Sequence, residues 1–229
     1  MTRSVICDMA RVTLLCTCLL GAPAFAQSSA QSPAQPLAEA EHPVFAAVQR
    51  GDIPALARLL KENRDKRLAN ARNVEGEPLL YVAAESGSVD LVRVVLEAGA
   101  DINGSSGNGE TALHAAGLQG SAGVAALLLE KGANPELANR DGERALYWAA
   151  ATGTLEVVKV LLDKGVALNV QDVRGNTALH GAADGGHADV VKLLLEKKAN
   201  ALIRNREGLL PAEIARSREH KDVEALLLQ

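Results

Sequence analysis

In Leu155–Lys164, apolar residues fall at Val157, Val158, Leu161 and Leu162. That i, i+1, i+4, i+5 pattern gives a helix one apolar face. A shorter alanine-rich stretch precedes it, separated by Gly153, a residue that lets the chain turn where a side chain would clash. The pattern predicts helix pairs, each with a short inner helix beginning near Pro78, Thr111, Arg144 or Thr177 and a longer outer helix after a glycine. Thr111 and Thr177 are expected to cap through their hydroxyls, and Pro78 to suit a first helical turn. Gly99, Gly132 and Gly165 are placed to end outer helices in the left-handed conformation. Lys198 stands at the fourth such place, at a backbone cost of up to about 1 kcal/mol.

The pairs recur. Gly76, Gly109, Gly142, Gly175 and Gly208 are evenly spaced along the chain, and Gly87, Gly120, Gly153 and Gly186 keep the same interval. Between the two series runs one text: GEPLLYVAAESG, GETALHAAGLQG, GERALYWAAATG, GNTALHGAADGG. A lone helix pair cannot bury its apolar face, so adjacent copies must stack into a continuous core. The pairs Ala83-Ala84, Ala149-Ala150 and Ala182-Ala183 suit inner helices that approach closely. Residues such as Asn139-Arg140-Asp141-Gly142 form the turn that projects from each pair.

This text resembles the ankyrin repeat in its period and in a T-P-L-H-x-A signature, nearest at Thr111-Ala112-Leu113-His114 and Thr177-Ala178-Leu179-His180. The resemblance covers residues 42–229. It implies an all-α solenoid of stacked helix–turn–helix units with projecting β-turns or short hairpins, capped at both ends. The expected divisions are an N-terminal cap at 42–73, repeats at 74–106, 107–139, 140–172 and 173–205, and a C-terminal cap at 206–229. Within the first cap, residues 44–60 resemble the second half of a repeat, joined to the next by the loop Lys61–Asn73. The last unit keeps the register through Val223, Leu226 and Leu227, with a more polar surface carrying Glu213, Arg216, Arg218, Glu219, Lys221 and Asp222.

Ahead of the repeats, residues 1–26 read as a signal peptide. Arg3 and Arg11 are followed by an apolar run from Val12 to Leu20 and an Ala24-Phe25-Ala26 cleavage site. The run is too short for a comfortable membrane helix, so no membrane association is expected after cleavage. Residues 27–41, rich in Ser, Gln, Ala and Pro, read as a flexible linker. Cys7, Cys16 and Cys18 all lie in the leader, so the mature chain has neither disulfide nor thiolate and packing alone must hold it. Cleavage leaves 22 basic and 27 acidic side chains, a net charge of −5. With that balance, and aromatics at 2% of the chain, neither phosphate-driven binding nor base stacking is available, which excludes a nucleic-acid partner. The signal looks bacterial, placing the mature protein in the periplasm ahead of secretion beyond the cell.

The side chains that could carry chemistry are dispersed. His114 and His180 share a repeat position with Tyr81 and Tyr147, which argues against metal ligation. The resemblance makes that position a hydrogen-bonding brace for the next repeat's turn. His187 and His220 follow the second glycine of their units, and His42 precedes the array. No HExxH, GxSxG or P-loop occurs. The expectation is therefore no enzyme, no catalytic residue, no cofactor and no metal. An active site hidden in the groove would require His114, His180 and the groove carboxylates to converge on an open pocket.

What remains is binding to a protein partner through the concave face that such stacks present. The resemblance carries that role to the turn residues Glu75, Glu77, Asn108, Glu110, Arg140, Asp141, Glu143, Arg174 and Asn176. It carries it also to Glu85, Leu118, Gln119, Thr152 and Asp184 where the inner helices close. Trp148 is either an anchor on that face or a packing ring between repeats. The acidic excess in the early repeats calls for a partner with a basic or polar patch. A periplasmic adaptor or protector of an exported enzyme is the first expectation, and an inhibitor or immunity protein occluding a toxic effector is the alternative. Capped ends point to a monomer.

Overall fold

The computed structural model describes residues 42–62 and 67–229; the expected signal peptide and linker lie outside the described residues. These contain twelve α-helices and no strand. The pairs are α1 (Pro43–Gln49) with α2 (Ile53–Glu62), α3 (Leu79–Glu85) with α4 (Val89–Glu97), and α5 (Ala112–Gln119) with α6 (Ala122–Glu130). They continue with α7 (Ala145–Ala151) and α8 (Leu155–Asp163), α9 (Ala178–Asp184) and α10 (Ala188–Glu196), and α11 (Pro211–Ser217) and α12 (Lys221–Leu227). Each inner helix packs on the inner helices before and after it, and the outer helices α2, α4, α6, α8, α10 and α12 form a parallel layer. The all-α stack is thus present, and its projecting turns close in isolated bridges, Arg72 with Pro78, Ser105 with Thr111 and Ala138 with Arg144.

Two details differ from expectation. Residues 44–60 are not the second half of a repeat: Gly51, at φ 66°, separates two full helices, α1 and α2. Pro78 lies outside the first helical turn, at the position before α3, with φ −64° and ψ 148°. Its extended ψ lets the chain enter the helix at Leu79, and without a hydroxyl it offers no side-chain cap.

One core runs through all six pairs. Val95, Leu128, Leu161 and Leu194, each one repeat after the last, have no exposed surface, because every outer helix presents this position to its neighbours. Each such burial contributes roughly 1.5–3 kcal/mol. The inner helices approach as closely as the alanine pairs suggested. A Cβ on Gly117 of α5 would stand 3.0 Å from the Ala145 carbonyl oxygen at the start of α7.

Polar clasps supplement this packing. The side chains of Asn70, Asn103, Glu136 and Asn169 each accept the backbone N–H of a residue in the following unit: Asp101 at 2.7 Å, Asn134 at 2.9 Å, Ala167 at 3.0 Å and Asn200 at 2.8 Å. The clasps recur once per repeat and end at Leu202, which occupies the next such position and is 78% exposed. Leu228 is also exposed, so the surface of the last pair is less uniformly polar than its charged residues suggested.

Candidate protein-binding face

The projecting turns are built from an Asx-type closure. Asn139 Oδ1 accepts the N–H groups of Asp141 and Glu143 at 3.0 and 2.9 Å; Asp172 Oδ1 accepts those of Arg174 and Asn176 at 2.8 and 2.7 Å. A short side chain with a fixed acceptor two and four residues upstream is what such a turn needs. Successive turns are then joined: the N–H groups of Arg140, Val173 and Arg206 donate to the carbonyls of Asn108, Asp141 and Arg174, each at 2.8 Å. Gly109 and Gly142 lie where they do because the next turn passes so near, a Cβ on either standing 3.1 Å from its backbone. Both glycines also have φ well above zero. The turn tips therefore form a linked row.

On that row Glu75, Asn108, Arg140, Asp141 and Arg174 are exposed, and Glu77, Glu110 and Asn176 are half-buried. At the helix ends Gln119 and Thr152 are exposed, and Glu85, Leu118 and Asp184 are half-buried. Several are already engaged. Asn73 Nδ2 donates to Glu77 at 2.8 Å, the Ser106 hydroxyl to Glu110 at 2.9 Å, and Arg218 Nε to Asp184 at 2.6 Å.

The first two repeats concentrate negative charge. Partial burial pushes the Glu85 carboxyl up from its ordinary value, and Glu77 and Glu110 push it further, against a hydrogen bond from Tyr81 that lowers it. Burial, then the charges of Glu85, Glu110 and Glu77, raise the Tyr81 phenol, which stays a neutral donor. Glu77, Tyr81 and Glu85 belong to one repeat and Glu110 to the next; stacking brings Glu110 into the field of Tyr81 and Glu85.

The centre of the face requires a correction. Glu143 was expected to project from its turn, but it is 8% exposed. Its Oε2 accepts Trp148 Nε1–H at 2.9 Å and Asn139 Nδ2 at 3.1 Å, and Oε1 accepts Arg174 Nη2 at 2.8 Å. Trp148, also 8% exposed, packs edge-on against His114 with ring centroids 5.7 Å apart and an interplanar angle of 81°. The indole is thus a packing ring whose polar edge is spent on Glu143, leaving little of it for a partner. Arg174 is the member of the network that reaches solvent, its side chain 51% exposed.

The histidines brace the turns. Thr111 N–H donates to His114 Nδ1 at 3.1 Å, Thr111 Oγ1 lies 2.9 Å from the same nitrogen, and His114 Nε2 meets the Glu143 carbonyl at 3.0 Å. Thr177, His180 and the Leu209 carbonyl repeat the arrangement at 3.1, 2.9 and 3.2 Å. Where the capping residue is Pro78 or Arg144, the partner position holds Tyr81 or Tyr147 instead. Threonine and histidine therefore come and go together, as their mutual bond requires. Both imidazoles face backbone and threonine, not a carboxylate. Among the described residues no group of three or more His, Cys, Asp or Glu side chains is arranged to hold a metal, and no helix is long and apolar enough to cross a membrane.

The turn tips form a linked row beside the stacked inner helices. The family model for ankyrin repeats (3 copies) matches residues 14–106, 44–139, 103–172 and 146–229. A search of curated proteins returned no match. Joined to helix pairs that recur at one fixed period, those overlapping matches show that the chain belongs to the ankyrin-repeat family.

Proposed function

We propose that the protein is a non-catalytic binding module that holds a protein partner against its turn tips and inner-helix ends. Ankyrin repeats are generally protein-interaction modules, and the partner here is one with a basic patch. One observation carries this reading: Glu75, Glu77, Glu85 and Glu110 gather on the first two repeats, and Glu85 is held above its ordinary pKa by burial and its acidic neighbours. A cation laid among them relieves that repulsion and is steered there from a distance. Arg140 and Arg174 continue the face with the opposite sign, so the partner is bound in one orientation. The leader-like residues 1–26 support export to the periplasm, where the module acts as a monomeric adaptor that protects or assembles an exported enzyme.

A pull-down from periplasmic extract with the full chain, read by mass spectrometry and followed by an assay of the captured partner, tests this. A stoichiometric partner that stays active supports the adaptor role. A partner silenced on binding replaces it with an inhibitor, and the absence of any stoichiometric partner overturns the reading.

A further inference from the structure

Between the outer helices α4 and α6 lies a hollow of about 360 Å³, within the size range of binding pockets and lined by none of the turn-tip residues. Leu96, Ala100, Ile102 and Leu127 form its apolar wall. Arg93, Glu97 and Lys131, all exposed, stand at its rim.

Two small residues shape it. Gly123 lies one turn before Leu127 on α6, and a Cβ there would stand 3.0 Å from Val89 Cγ2 of α4. The two helices are therefore in close contact at their starts, where α8 and α10 carry Glu156 and Asp189 at the position of Gly123. Near their ends, Ala100 leaves room that the larger Val166 takes up in the third repeat.

The cations at the rim are uncommitted. Lys159 of α8 pairs with Glu156 at 2.7 Å. Among the described residues, Arg93 at the matching position of α4 and Lys131 at the end of α6 enter no ion pair and no side-chain hydrogen bond. Of the acids nearby, Glu97 shares the rim and Asp101 is turned back to accept the Asn103 N–H at 3.0 Å, while Glu130 lies outside the lining. The rim thus carries two cations against one carboxylate.

We propose that this hollow is a second docking site, which takes an aliphatic side chain of a protein partner with one acidic residue beside it. Leu96, Ile102 and Leu127 wall the aliphatic group, which leaves water on entering. A carboxylate on the adjoining residue of the partner reaches the rim and balances Arg93 and Lys131 against Glu97. A basic neighbour would instead meet two like charges. A run of acids is equally unsuited, because Glu97 and Asp101 repel every charge beyond the first. The hollow is open along one side, which suits a side chain carried on a peptide better than a small ligand that must be enclosed. This site shares no residue with the turn-tip face and stands whether or not that face holds a partner.

The test follows the amide NMR signals of the full chain while an end-capped leucyl-glutamate dipeptide is added to millimolar concentration. Expected are shifts concentrated in residues 97–103 and 127–131, with end-capped leucyl-lysine and seryl-glutamate binding about tenfold more weakly. Arg93→Gln/Lys131→Gln should weaken the leucyl-glutamate complex about tenfold through charge. Ala100→Leu should weaken it as much by filling the hollow, with the rim charges intact. Equal affinity for the three dipeptides, or shifts confined to other residues, overturns the proposal. It falls as well if the same amides move with protein concentration in the absence of peptide, since the occupant is then a second copy of the chain. It also falls if they move, without peptide, when Leu37, Glu39 and Glu41 are replaced by serine, since the chain's own linker then fills the hollow.

Discussion

The Trp148 indole N–H donates to Oε2 of Glu143 at 2.9 Å, within one repeat, while Oε1 of the same carboxylate accepts Arg174 from the next. A carboxylate at the centre of the face is thereby an internal tie between repeats. Trp148→Phe keeps most of the packing but removes a donor from a buried charge, and should lower stability by about 2 kcal/mol in urea unfolding. A loss below about 0.5 kcal/mol would mean the indole N–H contributes nothing beyond its ring.

Lys198 and Glu219 hold φ of 69° and 64°, the left-handed conformation that glycine adopts at the matching positions of the other repeats. Lys198→Gly and Glu219→Gly should each stabilise the array by roughly 1 kcal/mol, since relieved strain exceeds the added entropy of the unfolded chain. Thermal melts of the single and double variants check this, and additive rises are expected.

Glu85 is the carboxyl that its neighbours disfavour when charged. Because its folded pKa is raised, stability increases as pH falls through that value, and the charged form weakens the fold above it. Glu85→Gln should therefore melt slightly higher than wild type at pH 7, by up to about 0.5 kcal/mol, with no difference well below the ordinary carboxyl value. An unchanged melting point at pH 7 would show that the Tyr81 hydrogen bond already offsets the repulsion.

For the binding face, Glu75→Lys, Glu77→Lys and Glu85→Lys together should slow association with a captured partner about tenfold at low salt and flatten the salt dependence. Stopped-flow or surface-plasmon measurement at two ionic strengths is sufficient. An unaltered rate and salt slope would show that the partner sits elsewhere.

The clasps make a separate prediction. Asn103→Ala or Asn169→Ala leaves a backbone N–H in the following unit without its side-chain acceptor and should cost about 1 kcal/mol each, measured by urea unfolding. A neutral result would mean water replaces the amide without loss.

Much of this fold was legible in the sequence because its rules are local and repeated: glycines at fixed intervals, apolar positions of the outer helices, and small residues where inner helices meet. The clasps at Asn70, Asn103, Glu136 and Asn169 were equally periodic. They escaped notice because one is a glutamate and all lie in loops without an apolar pattern to draw attention to them. Glu143 could not be told from Glu77 and Glu110, which share its position. What buries it is an indole five residues on and a guanidinium from another repeat, and the second acts only once the units stack. The pairing of threonine with histidine, against proline or arginine with tyrosine, was visible in the text; its reason lay in the 2.9 Å contact between side chains.

Because every clasp reaches from one unit to the same place in the following one, adding or removing a whole unit would leave each acceptor facing a suitable donor. A shift of a single residue inside a unit would instead misalign every bond between that unit and those on either side. The array is therefore tolerant of changes in length counted in multiples of its own period, and brittle to any other.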